Sequence, residues 1–293
     1  MMLADGIWHQ IFAFDNYGDL LSLVRNSLIA GAALGLVGGL AGVFVIMRDL
    51  PFAVHGISEL SFAGASAALL MGVNVVAGSI VGSLLAAGAI GVLGARARDR
   101  NSVIGILMPF GLGLGVLFLA LYKGRAANKF GLLTGQIVAV GTPEMTWLLG
   151  TSALVLVVLA LIWRPLSFAS ADPDVAQARG VPVRSLSFAF MLVLGLTVAL
   201  SVQVVGALLV LTLVVTPAAA AARVTASPVL LPLLSVVFAV ASIEGGILLA
   251  LGSSIPISPY VTTISFTVYV VCAVAGRYRT QRWGNRRTVP QPA

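Results

Sequence analysis

From Asn26 to Met47 the chain carries no ionisable side chain. A run of that length matches the roughly 20 apolar residues a helix needs to cross a hydrocarbon core of about 30 Å. Similar runs follow one another to Gly276, divided by short polar breaks such as Arg48-Asp49-Leu50-Pro51 and Arg96 to Arg100. In lipid, every backbone polar group must be satisfied within the protein, so runs like these fold as helices. The chain is therefore expected to be all-α and polytopic. Its 9% content of charged residues compares with about 25% for soluble domains and excludes a soluble class.

The spacing predicts spans at about 24–47, 52–71, 73–95, 102–122, 144–163, 186–201, 206–222, 229–251 and 258–276. That is nine helices, or eight if one segment does not cross. Phe130 to Val140 reads as a partial or re-entrant segment. Met1 to Gly18 is acidic, lacks the pattern of a cleavable signal, and has Trp8, Phe12, Phe14 and Tyr17 suited to a membrane interface. Residues 1–276 are expected to form one transmembrane domain, 164–184 a cytoplasmic loop and 277–293 a basic cytoplasmic tail. Gly31, Gly35 and Gly39 form one small-residue row, Gly38 and Gly42 another, and such rows let helices approach closely.

The net charge of +7 comes from cations at segment ends, as topology requires, and not from a nucleic-acid surface. With nine spans, an inside C-terminus places Arg48, Arg96, Arg98, Arg100, Arg164, Arg179, Arg184, Arg223 and the tail arginines in the cytoplasm. Only Arg25, Lys123, Arg125 and Lys129 fall outside. The positive-inside rule thus favours an outside N-terminus. The lone Cys272 lies in an apolar segment and forms no internal disulfide.

His55, Glu59 and Glu244 are the ionisable residues well inside the expected spans. His55 and Glu59 are four apart, which on a helix sets them on one face, a turn from each other. Ionisable groups at that depth are costly and mark a functional site by default. An imidazole nitrogen with a carboxylate oxygen suits zinc and other first-row divalent ions. Ser58 and Ser61 are placed to orient such ligands. The bland alternative is a carboxyl bonded to a neighbouring helix beside a packed histidine. Glu244 alone is the weaker candidate, since one buried carboxyl can serve packing only.

Asp172-Pro173-Asp174 followed by Val175 to Pro182 reads as a short capped helix. Asp172 suits the N-cap, Pro173 the first turn, Gly180 the position after the C-cap, and Pro182 the stop. Such a helix is either a docking element or an ordinary connector. The sequence has no G-x-x-x-x-G-K-[ST] loop for ATP phosphates and no H-E-x-x-H zinc motif.

Four stretches together resemble the membrane permeases of bacterial zinc and manganese ABC importers. They are Gly42 to Arg48; Val54 to Gly64, against the family's G-D-A-L-S-H-A-x-x-P-G; Asp172 to Pro182, against D-P-E-x-A-x-x-x-G-x-P; and Gln203 to Val210 with Pro217-Ala218, against Q-x-V-G-x-L-L-V…P-A. The chain departs from the family where Asp becomes His55, His becomes Glu59 and Pro becomes Ala63. A nitrogen and a carboxylate remain, in exchanged order. The resemblance implies the permease fold of metal-uptake importers, working as a homodimer in the bacterial plasma membrane. It implies cytoplasmic ATPase partners, an extracytoplasmic metal-binding protein, no resident cofactor and no catalysis by this chain. Asp172, Pro173, Asp174, Arg179, Gly180 and Pro182 would couple to the ATPase. The cargo would be a divalent metal, zinc before manganese, passing His55 and Glu59 by alternating access. Uptake of a chelated metal or siderophore, a proton-coupled carrier using Glu59 and Glu244, and a scaffold that moves nothing are the other readings.

Overall fold

The computed structural model describes residues 24–94, 97–124, 131–132, 142–207, 210–251 and 256–284. The aromatic N-terminal segment, most of Phe130 to Val140 and the tail beyond Gly284 lie outside the described residues. Helices α1 (Arg25–Met47), α2 (Pro51–Met71), α3 (Val75–Leu93) and α4 (Ala97–Leu121) come first. Then follow α5 (Thr142–Ala171), the short α6 (Pro173–Ala178), α7 (Val183–Val205), α8 (Val210–Val214), α9 (Thr216–Val224), α10 (Leu230–Leu251) and α11 (Ile257–Gly284). No strand occurs among the described residues.

Eight of these helices are long and apolar enough to cross a membrane. The expected span at 206–222 is the exception. Gly206 ends α7 at φ 86°, a left-handed angle that glycine adopts at no steric cost. The chain restarts as α8, breaks at Val215, and restarts again with Pro217 in the first turn of α9. Proline is tolerated there because its missing N–H would have no partner in the helix. Two expected boundaries also move. Helix α5 runs past Arg164 and through Pro165 to Ala171, because Leu166 and Ala169 beyond the proline are buried and hold that end in place. Helix α11 runs past Gly276 to Gly284, so the first part of the expected tail is helical.

Glycine decides which helices meet. The row Gly31, Gly35 and Gly39 lies against α10: added Cβ atoms there would come within 2.7 Å of Ile243, 2.8 Å of Val240 and 2.7 Å of Val236. The second row turns toward α8, where Gly38 faces Leu213 and a Cβ on Gly42 would strike the Val214 carbonyl. Helix α2 is enclosed in the same way. Gly64 abuts the Gly78 carbonyl of α3, Gly82 abuts the Leu60 carbonyl, and Gly111 and Gly115 of α4 abut the backbone at Glu59 and the ring of Phe62.

Hydroxyls tie the contacts. Ser61 and Ser79 are joined Oγ to Oγ at 2.7 Å, and Ser79 donates on to the Ala199 carbonyl of α7 at 3.4 Å. Ser235 donates to the Gly39 carbonyl at 2.7 Å. Interhelical hydrogen bonds in membranes average about 0.6 kcal/mol. Close packing therefore carries more of the stability than these bonds do. Within their apolar windows α1 and α7 are 67% buried and α2 61%, against 22% for α4 and α5. The His55–Glu59 helix thus belongs to the centre of the bundle. The outer helices present large apolar side chains such as Ile106 and Leu161 outward, as lipid contact requires.

Gly64→Ala is expected to destabilise the purified protein by about 1–3 kcal/mol through overpacking, read as a lower thermal midpoint in detergent. Gly105→Ala, where an added Cβ meets nothing within 4 Å, should leave the midpoint unchanged.

Candidate metal site and coupling loop

Helix α2 begins with Pro51 in its first turn and ends on Gly72 at φ 71°, a left-handed cap that an L side chain would strain. Nothing between them interrupts the helix. At 1.5 Å per residue, His55 stands about 6 Å and Glu59 about 12 Å along a helix of roughly 31 Å. Their side chains point the same way, with His55 Nε2 3.6 Å from Glu59 Oε1. That is too long for a hydrogen bond and becomes an ion pair only when the imidazole is protonated.

The two groups sit in different surroundings. The Glu59 side chain is 5% exposed and that of His55 29%. Glu59 Oε2 is buried with no hydrogen-bond partner. An unsatisfied buried acceptor costs about 1–3 kcal/mol, more when charged. A proton or a cation would relieve it. The pair therefore has an enclosed oxygen donor and, one turn away, a nitrogen donor that reaches open space.

Ser58 and Ser61 do not bond to the side chains of this pair. Ser58 Oγ donates to the His55 carbonyl at 2.8 Å, inside its own helix, and Ser61 is held by Ser79. Gly111 plays a part that the sequence did not announce: having no side chain, it lets α4 lie directly on the Glu59–Leu60 backbone. Its spacing from Gly115 matched that of the α1 rows and was the available signal.

Glu244 lies elsewhere. Its Oε1 would be 2.9 Å from a Cβ on Gly31, so the carboxyl rests on α1, and that oxygen too is buried without a partner. Among the described residues, no group of three or more His, Cys, Asp or Glu side chains is close enough to hold a metal ion. His55 and Glu59 are brought together and Glu244 does not join them.

The loop is built as its sequence spells it. The Asp172 carboxylate accepts from Val175 N at 3.0 Å, Pro173 occupies the first turn, and Asp174 adds an acid there. Arg179 is the C-cap and Gly180 follows at φ 82°. Gly180 N donates to the Gln177 carbonyl and Val181 N to the Ala176 carbonyl, closing the end. Pro182 caps the start of α7. Within α6 only Ala176 is buried, so the rest of the short helix is offered outward.

Eight span-length helices among the described residues, with a capped helix between α5 and α7, define a fold that can be matched. The profile of the ABC 3 transport family matches residues 21–276. The chain belongs to that family. It is similar to the manganese transport system membrane protein MntC of Halalkalibacterium halodurans, at 30% identity over 77% of this chain and 78% of that one. It is similar to the high-affinity zinc uptake system membrane protein ZnuB of Haemophilus influenzae, at 26% identity over 86% and 97%. Among solved structures it superposes on a chain of PsaBC from Streptococcus pneumoniae in complex with Fab. That match has a TM-score of 0.80 and 25% identity, and covers 91% of this chain and 99% of that one. This member of the family is accordingly a multi-pass ABC permease, a transport component and not an enzyme.

Asp172→Ala removes a side-chain cap worth about 1 kcal/mol. Gly180→Ala forces an L residue into a left-handed angle at about 1–2 kcal/mol. Both variants should show faster amide hydrogen exchange at residues 175–181, while Asp172→Asn should keep the parent rate.

Proposed function

We propose that this permease is the transmembrane subunit of an ATP-driven importer for a divalent transition-metal ion, with zinc favoured and manganese next. His55 and Glu59 contact the ion during passage. The observation that carries this reading is the Glu59 carboxylate, enclosed at the centre of the bundle with one oxygen unpartnered and an imidazole one turn away. The relatives named for manganese and zinc transport support the same class of cargo. The nitrogen donor favours zinc only modestly, since selectivity also follows geometry and availability. Two side chains supply half of a tetrahedral zinc shell, which suits an ion that must also leave.

The permease acts as a homodimer. A pair of cytoplasmic ATPases docks on α6, and an extracytoplasmic binding protein delivers the ion. ATP binding moves α6 and switches the central pathway between sides. The loop and the C-terminus lie in the cytoplasm and the N-terminus outside, with the broken α8–α9 segment making the ninth crossing that this orientation requires. Glu244 joins no group of three or more His, Cys, Asp or Glu side chains among the described residues, so the ion is assigned to His55 and Glu59 and Glu244 is read as packing against Gly31.

The deciding experiment reconstitutes the permease in lipid with its ATPase and binding protein and measures ATP hydrolysis and uptake with zinc, manganese and iron in turn. One ion should stimulate hydrolysis, and Glu59→Ala and His55→Ala should each lower uptake of that ion at least tenfold in protein that still assembles. Uptake unchanged in both variants would remove the pair from the pathway. An assembled, ATP-hydrolysing complex stimulated by none of the ions would point to a chelated cargo. In the same preparation, Asp172→Ala and Gly180→Ala should reduce copurification of the ATPase several-fold; full recovery would show that α6 is only a connector.

A further inference from the structure

At the α6 end of the bundle, a cavity of about 730 Å³ opens between the C-termini of α1 and α3 and the N-termini of α4 and α7. Arg48, Arg100 and Arg184 all line it, and no acidic residue does among the described residues. Asp49, next to Arg48 in sequence, is exposed and lies outside the lining. Three like charges thus share one recess, with no acidic partner among its described lining residues.

The donors are also incompletely used. Arg48 gives one terminal nitrogen to Ser187 Oγ, while its other terminal nitrogen is buried without a partner. Arg100 Nε is buried without a partner as well. Burial, and then the charge of Arg100, pushes the Arg48 guanidinium below its ordinary pKa. Arg48 is held in place from its other face by the Phe190 ring, 5.9 Å from its guanidinium carbon. The recess therefore presents oriented, desolvated N–H groups, the arrangement that recognises phosphate oxygens.

One wall of the same recess is apolar and faces outward. Val92 is 65% exposed and Phe188 37%, and Leu93 beside Val92 is 62% exposed. These residues continue the surface that the spans offer to lipid. A free anion would have no use for that wall. A phospholipid fits both parts, its phosphate among the guanidiniums and its acyl chains along α3 and α7. Basic pockets between transmembrane helices are suited to anionic headgroups in this way.

We propose that the recess formed by Arg48, Arg100 and Arg184 is a binding site for an anionic phospholipid, with the α3–α7 edge as its acyl-chain track. The site is separate from the His55–Glu59 pair and stands whether or not the chain moves a metal. It lies beside α6, since Gln177 of that helix also lines it. A bound lipid would brace the end of α7 from which α6 is suspended.

The test uses the full chain in detergent, with native mass spectrometry counting lipid adducts. Phosphatidylglycerol should bind at least tenfold more tightly than phosphatidylcholine. Inorganic phosphate and glycerophosphoglycerol, which share the headgroup chemistry but have no acyl chains, should not displace it at millimolar concentration. Arg100→Gln with Arg184→Gln should bring phosphatidylglycerol down to the phosphatidylcholine level, and the paired lysine variants should restore most of the difference. Arg164→Gln, outside the recess, should change nothing. Equal binding of the two lipids, or phosphatidylglycerol binding that survives the double glutamine change in folded protein, overturns the proposal. Displacement by the free headgroup overturns the lipid as occupant. So does a double variant that loses its ATPase partner while keeping its lipid, because the arginines would then serve a protein carboxylate.

Discussion

Helices in a bilayer gain little from hiding apolar side chains, because the lipid is as apolar as the partner helix. What they can gain is contact, and contact is greatest when backbones approach with nothing between them. Helix α2 takes this to its limit. Gly64, Gly78 and Gly82 set it against α3, and Gly111 and Gly115 set α4 against it. Dispersion between atom pairs is small singly and large in sum, so every residue along these crossings contributes. The enclosure of Glu59 follows from this packing: with α4 lying on the Glu59 backbone, little room is left for water around the carboxylate.

The placement of charge obeys the same economy. Arg48 ends α1, Arg100 opens α4 and Arg184 opens α7, each at a helix end where a long side chain can reach out of the apolar layer. Glu59 and Glu244 have no such escape. Each has one oxygen buried and unpartnered, yet their settings differ. Glu59 has a nitrogen donor one turn away, while Glu244 rests on a glycine. Identical chemistry thus meets different neighbours, an imidazole in one helix and a close helix contact in the other.

Much of this was legible in the sequence. The glycine rows of α1 named two contact faces, and the structure gives each its own partner, α10 and α8. The caps of α6 were readable because Asp172, Pro173 and Gly180 each answer a local backbone need that requires no knowledge of the rest of the fold. What was not legible depended on neighbours. Arg164-Pro165 looked like the end of a span, but burial of Leu166 and Ala169 carries the helix onward. Gly276 looked like a stop, but it is the place where α11 touches the Arg223 carbonyl. Ser61 looked like support for the pair, but Ser79, on another helix, claims its hydroxyl. No local pattern announces a partner supplied from elsewhere.

The backbone contacts around α2 have a mechanical consequence. Interdigitated side chains can change rotamer and let two helices ratchet past each other, one ridge at a time. Two backbones pressed together at Gly64 and Gly78 have no such teeth to disengage. Helices α2, α3 and α4 are then a single casting, and the His55–Glu59 pair is bolted to it. Any large rearrangement must find its sliding plane outside this block; the α3–α7 contact mixes larger side chains, Phe188 and Met191 against Gly91, with a close approach of Gly195 to the Ser83 carbonyl. On the alternating-access reading proposed above, the pair would keep its own geometry, and what changes would be the side from which it is reached.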